Sequence, residues 1–112
     1  MKETLIYLLD VTEMVRGWIE KAPDNCSLLE RWLYQDDVRF LKREILPLYD
    51  EDTQLYLYLK KLLTEIIAGF YCIDTDFRAK RQMAITELGK VIDMLKAAID
   101  SIESEEDKES KN

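Results

Sequence analysis

Histidine is absent from this chain. Its absence removes the commonest general base and the usual nitrogen ligand of zinc and di-iron centres. A ferritin-type site, which needs Glu-x-x-His motifs on facing helices, is therefore excluded. Glycine occurs three times and proline twice, too few for the many tight turns of an all-β fold. The two cysteines, Cys26 and Cys72, make neither a zinc cluster nor a disulfide framework. Free thiols are expected, both at one end of the molecule. No uninterrupted apolar run approaches the roughly 20 residues of a membrane span. Positive charge is also scarce: 16 Lys and Arg stand against 23 Asp and Glu, for a net charge of −7. Nucleic-acid binders carry the opposite footprint, so no direct nucleic-acid contact is expected. Lys2 and Glu3 lead into an amphipathic pattern and not the apolar core of a secretory signal. A cytoplasmic chain without a membrane partner is the expectation.

What is present points to helices. Apolar residues at 47% and charged residues at 35% suit a helix-rich globular domain, and 112 residues suffice for one hydrophobic core. The densest apolar stretch is 55–73, LYLYLKKLLTEIIAGFYCI, where the polar residues are Lys60, Lys61, Thr64 and Glu65. It is predicted to be the central helix, with Leu55, Leu59, Leu62, Ile66 and Ile73 on one stripe and Leu63, Ile67 and Phe70 widening it. Gly69 either allows close helix approach or begins the helix end; the sequence does not choose.

Four helices are predicted, near 3–22, 27–46, 51–72 and 75–104. The first puts Leu5, Leu8, Leu9, Val15, Trp18 and Ile19 on one stripe and ends at Pro23. The second opens on a capping box, Ser27 with Glu30. It carries a face of Tyr34, Val38, Leu41 and Ile45, and stops at Pro47. Asp36-Asp37 in its middle is a point at which it can break. Asp50-Glu51-Asp52 lacks the alternating ligands, glycine and distal glutamate of a calcium loop, and is read as a cap with acidic first-turn residues for the third helix. Asp74 or Thr75 can cap the fourth. There, Ile85, Leu88, Ile92, Leu95, Ile99 and Ile102 alternate three and four apart, a seam assigned to the inside of the bundle. The expected architecture is all-α: an antiparallel four-helix bundle over 1–104, with a disordered acidic tail over 105–112.

No catalytic motif, metal-ligand spacing or nucleotide loop occurs, so no enzyme, cofactor or metal is expected. Glu87-Leu88-Gly89-Lys90 echoes the helical carboxylates of all-α nucleotide pyrophosphohydrolases, but lysine stands where an acid belongs and no partner Glu-x-x-Glu precedes it. That match is rejected. Arg78, Lys80 and Arg81 lack interleaved aromatics and are read as ion-pair partners, not a nucleic-acid patch. Trp18 and Trp32 are assigned to the core, towards one end of the first hairpin, with Arg16 approaching Trp32. Tyr56, Leu57 and Tyr58 are spread too widely around one helix for a small core to hide, so they are the candidate partner-binding residues, together with the acids Asp36, Asp37, Asp50, Glu51 and Asp52. The functional expectation is a non-enzymatic interaction protein: a small acidic regulator or inhibitor of a larger protein with a basic surface, of the kind that phages and mobile elements encode. A homo-oligomeric assembly protein, such as a homodimer, and a bacteriocin-type immunity protein are the alternatives.

Overall fold

Ser27 sets the start of the second helix: its hydroxyl accepts from the Glu30 N–H at 3.2 Å, one of the amides that a helix start leaves unpaired. The same logic marks the other starts. Thr53 Oγ1 accepts from the Tyr56 N–H at 3.2 Å, and Asp76 Oδ1 accepts from the Arg78 N–H at 3.0 Å. A computed structural model describes residues 1–71 and 76–110. It contains α1 (Lys2–Glu20), α2 (Leu28–Ile45), α3 (Gln54–Tyr71) and α4 (Phe77–Ser110), with a 3-10 turn at Leu46–Leu48. The protein is all-α, and its four helices pack with antiparallel contacts between α1 and α4 and between α2 and α3.

Several boundaries depart from expectation. α2 is continuous through Asp36-Asp37, because Asp36 and Asp37 lie off its buried face and leave its backbone bonding intact. α3 begins after Thr53 and not at the acids, since the threonine hydroxyl makes the cap. Asp50 closes a turn ahead of it, accepting from the Asp52 N–H at 3.1 Å. Expected caps at Asp74 and Thr75, like Cys72 and Ile73, lie outside the described residues; Asp76 makes the observed cap. α4 continues to Ser110, past the expected end near residue 104. There Lys2 reaches back to Glu103 at 3.6 Å and Glu106 at 3.1 Å. Part of the expected disordered tail, residues 111 and 112, lies outside the described residues.

The core is built from Leu5, Leu8, Val15 and Ile19 of α1, Val38, Leu41 and Ile45 of α2, Leu59, Leu62, Leu63, Ile66 and Phe70 of α3, and Leu88, Val91, Leu95 and Ile99 of α4. With Thr12 between Leu8 and Val15 and with Leu62 and Leu63 side by side, the sets otherwise recur at three- and four-residue steps, so each helix buries one stripe. Two buried polar residues have their partners: Thr12 donates to the Leu8 carbonyl of its own helix at 2.6 Å and Gln35 donates to the Ile67 carbonyl at 2.8 Å. The second of these ties α2 to α3. Gly69 is a close-approach position, buried within α3; an added Cβ would stand 3.1 Å from Met83 Cε and 3.2 Å from Lys80 Cδ of α4.

α1 packs most extensively on α4 and less on α2. Its α4 flank is polar and strapped. Arg16 Nε donates to the Ile85 carbonyl at 2.9 Å, and Glu13 approaches Lys96 at 3.9 Å. The turn after α1 is held by Arg81, which donates to the Ala22 carbonyl and pairs with Asp24 at 2.6 Å, while Arg78 pairs with the same carboxylate at 3.4 Å. Arg78 and Arg81 are thus the ion-pair partners their sequence context implied.

Candidate functional site

The sequence-derived candidates fall into two places. Asp50, Glu51 and Asp52 are exposed in the turn before α3, and Leu57 and Tyr58, 53% and 42% exposed, follow one turn into the helix. Tyr56 is half-buried against the core. Asp36 and Asp37 sit in mid-α2, about 13 Å along the axis from its last residue at 1.5 Å per residue, so the eight residues do not form one cluster. Asp36 lies 3.5 Å from Arg39. Asp37 is half-buried, and burial followed by the neighbouring Asp36 charge raises its carboxyl above the usual range.

A second place was not anticipated. The core assignment of the tryptophans is overturned: Trp18 is 49% exposed and Trp32 46%. Arg16 turns to α4 and donates to the Ile85 carbonyl, not towards Trp32. The reason is geometric. At about 100° per residue, Trp18 lies roughly 100° from Ile19 and Val15 lies closer to Ile19, so the buried stripe of α1 closes without the tryptophan, with Thr12 on it instead. In α2, Gln35 takes the inward position next to Val38, which turns Trp32 outward. Leu29 and Leu33 are also exposed, as is Tyr71 at the end of α3. Trp32 and Tyr71 line a shallow cleft with Gln35, Asp36 and Arg39. The antiparallel order puts the end of α1, the start of α2 and the end of α3 at one end of the bundle, so Trp18, Leu29, Trp32, Leu33 and Tyr71 share that end.

The titratable groups offer structural chemistry more readily than catalysis. Cys26 is a free, buried thiol whose pKa is raised to about 11 by burial first and then by the Glu30 carboxylate. That keeps it protonated and poorly nucleophilic. Its expected neighbour Cys72 lies outside the described residues. Glu87 is raised to about 7, first by burial and next by the facing Glu65 carboxyl of α3, with Lys90 and Lys61 opposing. One Glu87 oxygen is shut off from solvent without a partner. No group of three or more metal-ligating side chains occurs among the described residues. The cleft of about 690 Å³ between α1 and α4 is lined by Arg16, Lys90 and Lys96 as well as Glu13 and Asp93. That near-balance of charge selects no ion. None of the described helices is long and apolar enough to cross a membrane.

The surface aromatics are what sequence reasoning missed. Tyr7, Val11, Met14 and Trp18 are spaced four, three and four, the same period as a buried stripe. The only distinguishing signal is that α1 then carries two such stripes, more than one small bundle can cover. No protein-family model matches the chain, and comparisons with curated proteins and with solved structures found no match either.

Proposed function

We propose that this chain is a non-enzymatic protein-interaction module, a small acidic regulator or inhibitor that binds a basic surface on a larger protein. The observation that carries the reading is the set of exposed apolar side chains at the Pro23 end, of which Trp32 and Tyr71 line one cleft. Trp18, Leu29, Trp32, Leu33 and Tyr71 are exposed there although the core beneath is filled by other residues. Contiguous exposed apolar patches mark interaction sites, and tryptophan and tyrosine are the side chains that most often anchor them. Asp36 lines the cleft with Trp32 and Tyr71, and the whole chain carries −7, which steers and selects a partner of the opposite sign. An inhibitor covering the nucleic-acid-binding face of its target would have this charge, an inference by analogy of charge alone.

A photo-crosslinking residue placed at Trp32 tests the reading in cells, with a control at Lys96 on the α1–α4 side. The expected outcome is a discrete adduct from position 32, with a protein other than this chain, that weakens with salt and is absent from position 96. An adduct of two copies only would overturn it in favour of an assembly protein. No adduct from position 32 would overturn it outright.

A further inference from the structure

We propose that the outward seam between α1 and α2 is a docking track for a basic amphipathic helix of another protein, laid lengthwise along both helices. The inference rests on the interaction reading above and adds to it the partner's shape and chemistry.

α1 has two flanks beside its buried stripe. One faces α4, where Arg16, Glu13 and Lys2 make their contacts. α1 otherwise packs only on α2, so the opposite flank borders the seam. It bears Tyr7, Val11, Met14 and Trp18; Val11 is half-buried and the other three are exposed. At steps of four, three and four these form a continuous apolar row. The facing edge of α2 bears Leu33, exposed, and Phe40, half-buried, seven residues apart. Among the described residues no hydrogen bond or ion pair joins α1 to α2, so this flank is not committed to holding the bundle together.

Acids follow the same seven-residue period. Glu30, Asp37 and Glu44 recur at seven-residue steps beside Leu33 and Phe40, and Asp10 lies next to the Tyr7–Val11–Met14 row by helical spacing, whereas Glu3 faces α4 with Ile6 and Ile102. Asp10 and Asp37 have no ion pair among the described residues. Arg43 meets the α2 rows at their far end, its guanidinium over the Phe40 ring at 5.7 Å and 3.8 Å from Glu44, which leaves Asp10 and Asp37 as the acids open to a partner. A ligand complementary to this surface has apolar side chains at three- and four-residue steps and Lys or Arg recurring beside them, which is one face of a basic amphipathic helix. A second copy of this chain would bring the same acids against themselves, so like-charge repulsion disfavours it.

The test uses the full chain and a synthetic helix of Leu and Lys of about 18 residues, which spans about 27 Å when helical. A Leu/Glu helix of the same pattern is the control. Titration calorimetry is expected to show salt-sensitive binding of the Lys helix and none of the Glu helix. The double variant Tyr7→Ala/Met14→Ala, whose Tyr7 lies about 16 Å along α1 from Trp18, should weaken it roughly tenfold or more. Asp37→Lys should do likewise, and Leu55→Ala on α3, an exposed position outside the candidate binding residues, should leave it unchanged, with circular dichroism verifying that each variant is folded. If only Trp32→Ala and Tyr71→Ala weaken binding, the lengthwise track is wrong while the patch reading stands. If neither helix binds, both are wrong. A free chain that sediments as a dimer and becomes monomeric on Tyr7→Ala/Met14→Ala would replace the foreign helix with a second copy and overturn the proposal.

Discussion

The two flanks of α1 are built from the same helix and differ in nearly everything else. Towards α4 the contact is close: Leu88, Val91 and Leu95 are fully buried, and Arg16, Glu13 and Lys2 tie the surface above them. Towards α2 the packing is sparser, and the outer row is apolar and open to water. The contrast teaches that one flank of a helix can hold it in the fold while the other stays uncommitted. α4 holds α1 in place, which leaves its other flank free to carry side chains that the fold does not need.

The strongest way to break that comparison is to cut both sides alike. Leu88→Ala removes a fully buried side chain from the α4 side and should cost about 2–5 kcal/mol of unfolding free energy. Leu33→Ala on the α2 side should fall within about 0.5 kcal/mol of the parent, as exposed substitutions usually do. Urea titration followed by circular dichroism measures both. Equal losses would mean that the open seam is structural after all.

Arg16 sharpens the same contrast through polarity. Its guanidinium is half-buried and donates to the Ile85 carbonyl inside α4. Arg16→Ala should cost about 1.5–3 kcal/mol, the range for a hydrogen bond involving a charged group. Arg16→Lys should restore only part of this, because a lysine amine cannot present the planar donor at the same depth. A loss below about 0.5 kcal/mol for Arg16→Ala would make the strap incidental, with α1 held by the apolar stripe alone.

Glu87 gives the α3–α4 boundary a pH signature. Its folded pKa, about 7, lies above the ordinary value of 4.5, so the folded state holds its proton more tightly than the unfolded chain. The stability it contributes is fully present below about pH 4.5 and is lost as pH rises through about 7. Glu87→Gln, which cannot ionise, should therefore lose less thermal stability than the parent between pH 5 and pH 8. Parallel melts at the two pH values would show it. Indistinguishable pH slopes would mean that Glu87 is solvated in both states.

How far the sequence reaches is clear from the same residues. Periodicity located the buried stripes of Val38, Leu41 and Ile45 and of Leu88, Leu95 and Ile99, because core burial demands that spacing. Local chemistry located the Ser27 cap, since a hydroxyl three residues ahead of an unpaired amide is a short-range arrangement. Trp18 departs from its core assignment because an exposed apolar row and a core row have the same period, and only the position of α4 decides which is covered. Trp32 was misplaced for the complementary reason: Gln35, a polar residue, took the inward position through a bond to the Ile67 carbonyl, a tertiary partner invisible from α2 alone. Tyr56, Leu57 and Tyr58 were read as too spread to be buried together, and Leu57 and Tyr58 do face solvent.

The smallest expected effect compares glycines in the two environments. Gly17 lies in α1 with nothing within 4 Å of an added Cβ. Gly17→Ala should therefore gain about 0.5–1 kcal/mol, the helix-interior difference between the two residues. Gly69 faces Met83 and Lys80 across the α3–α4 contact at 3.1 and 3.2 Å. Both are far ends of flexible side chains, so Gly69→Ala is accommodated only by their shifting, and part of the propensity gain is lost to that movement. The order of stabilities, Gly17→Ala above Gly69→Ala, follows from the packing around each site and not from the helix they interrupt. If Gly17→Ala gains no more than Gly69→Ala, the space recorded beside α1 is filled in solution, and the openness of its outer flank is the first conclusion to fall.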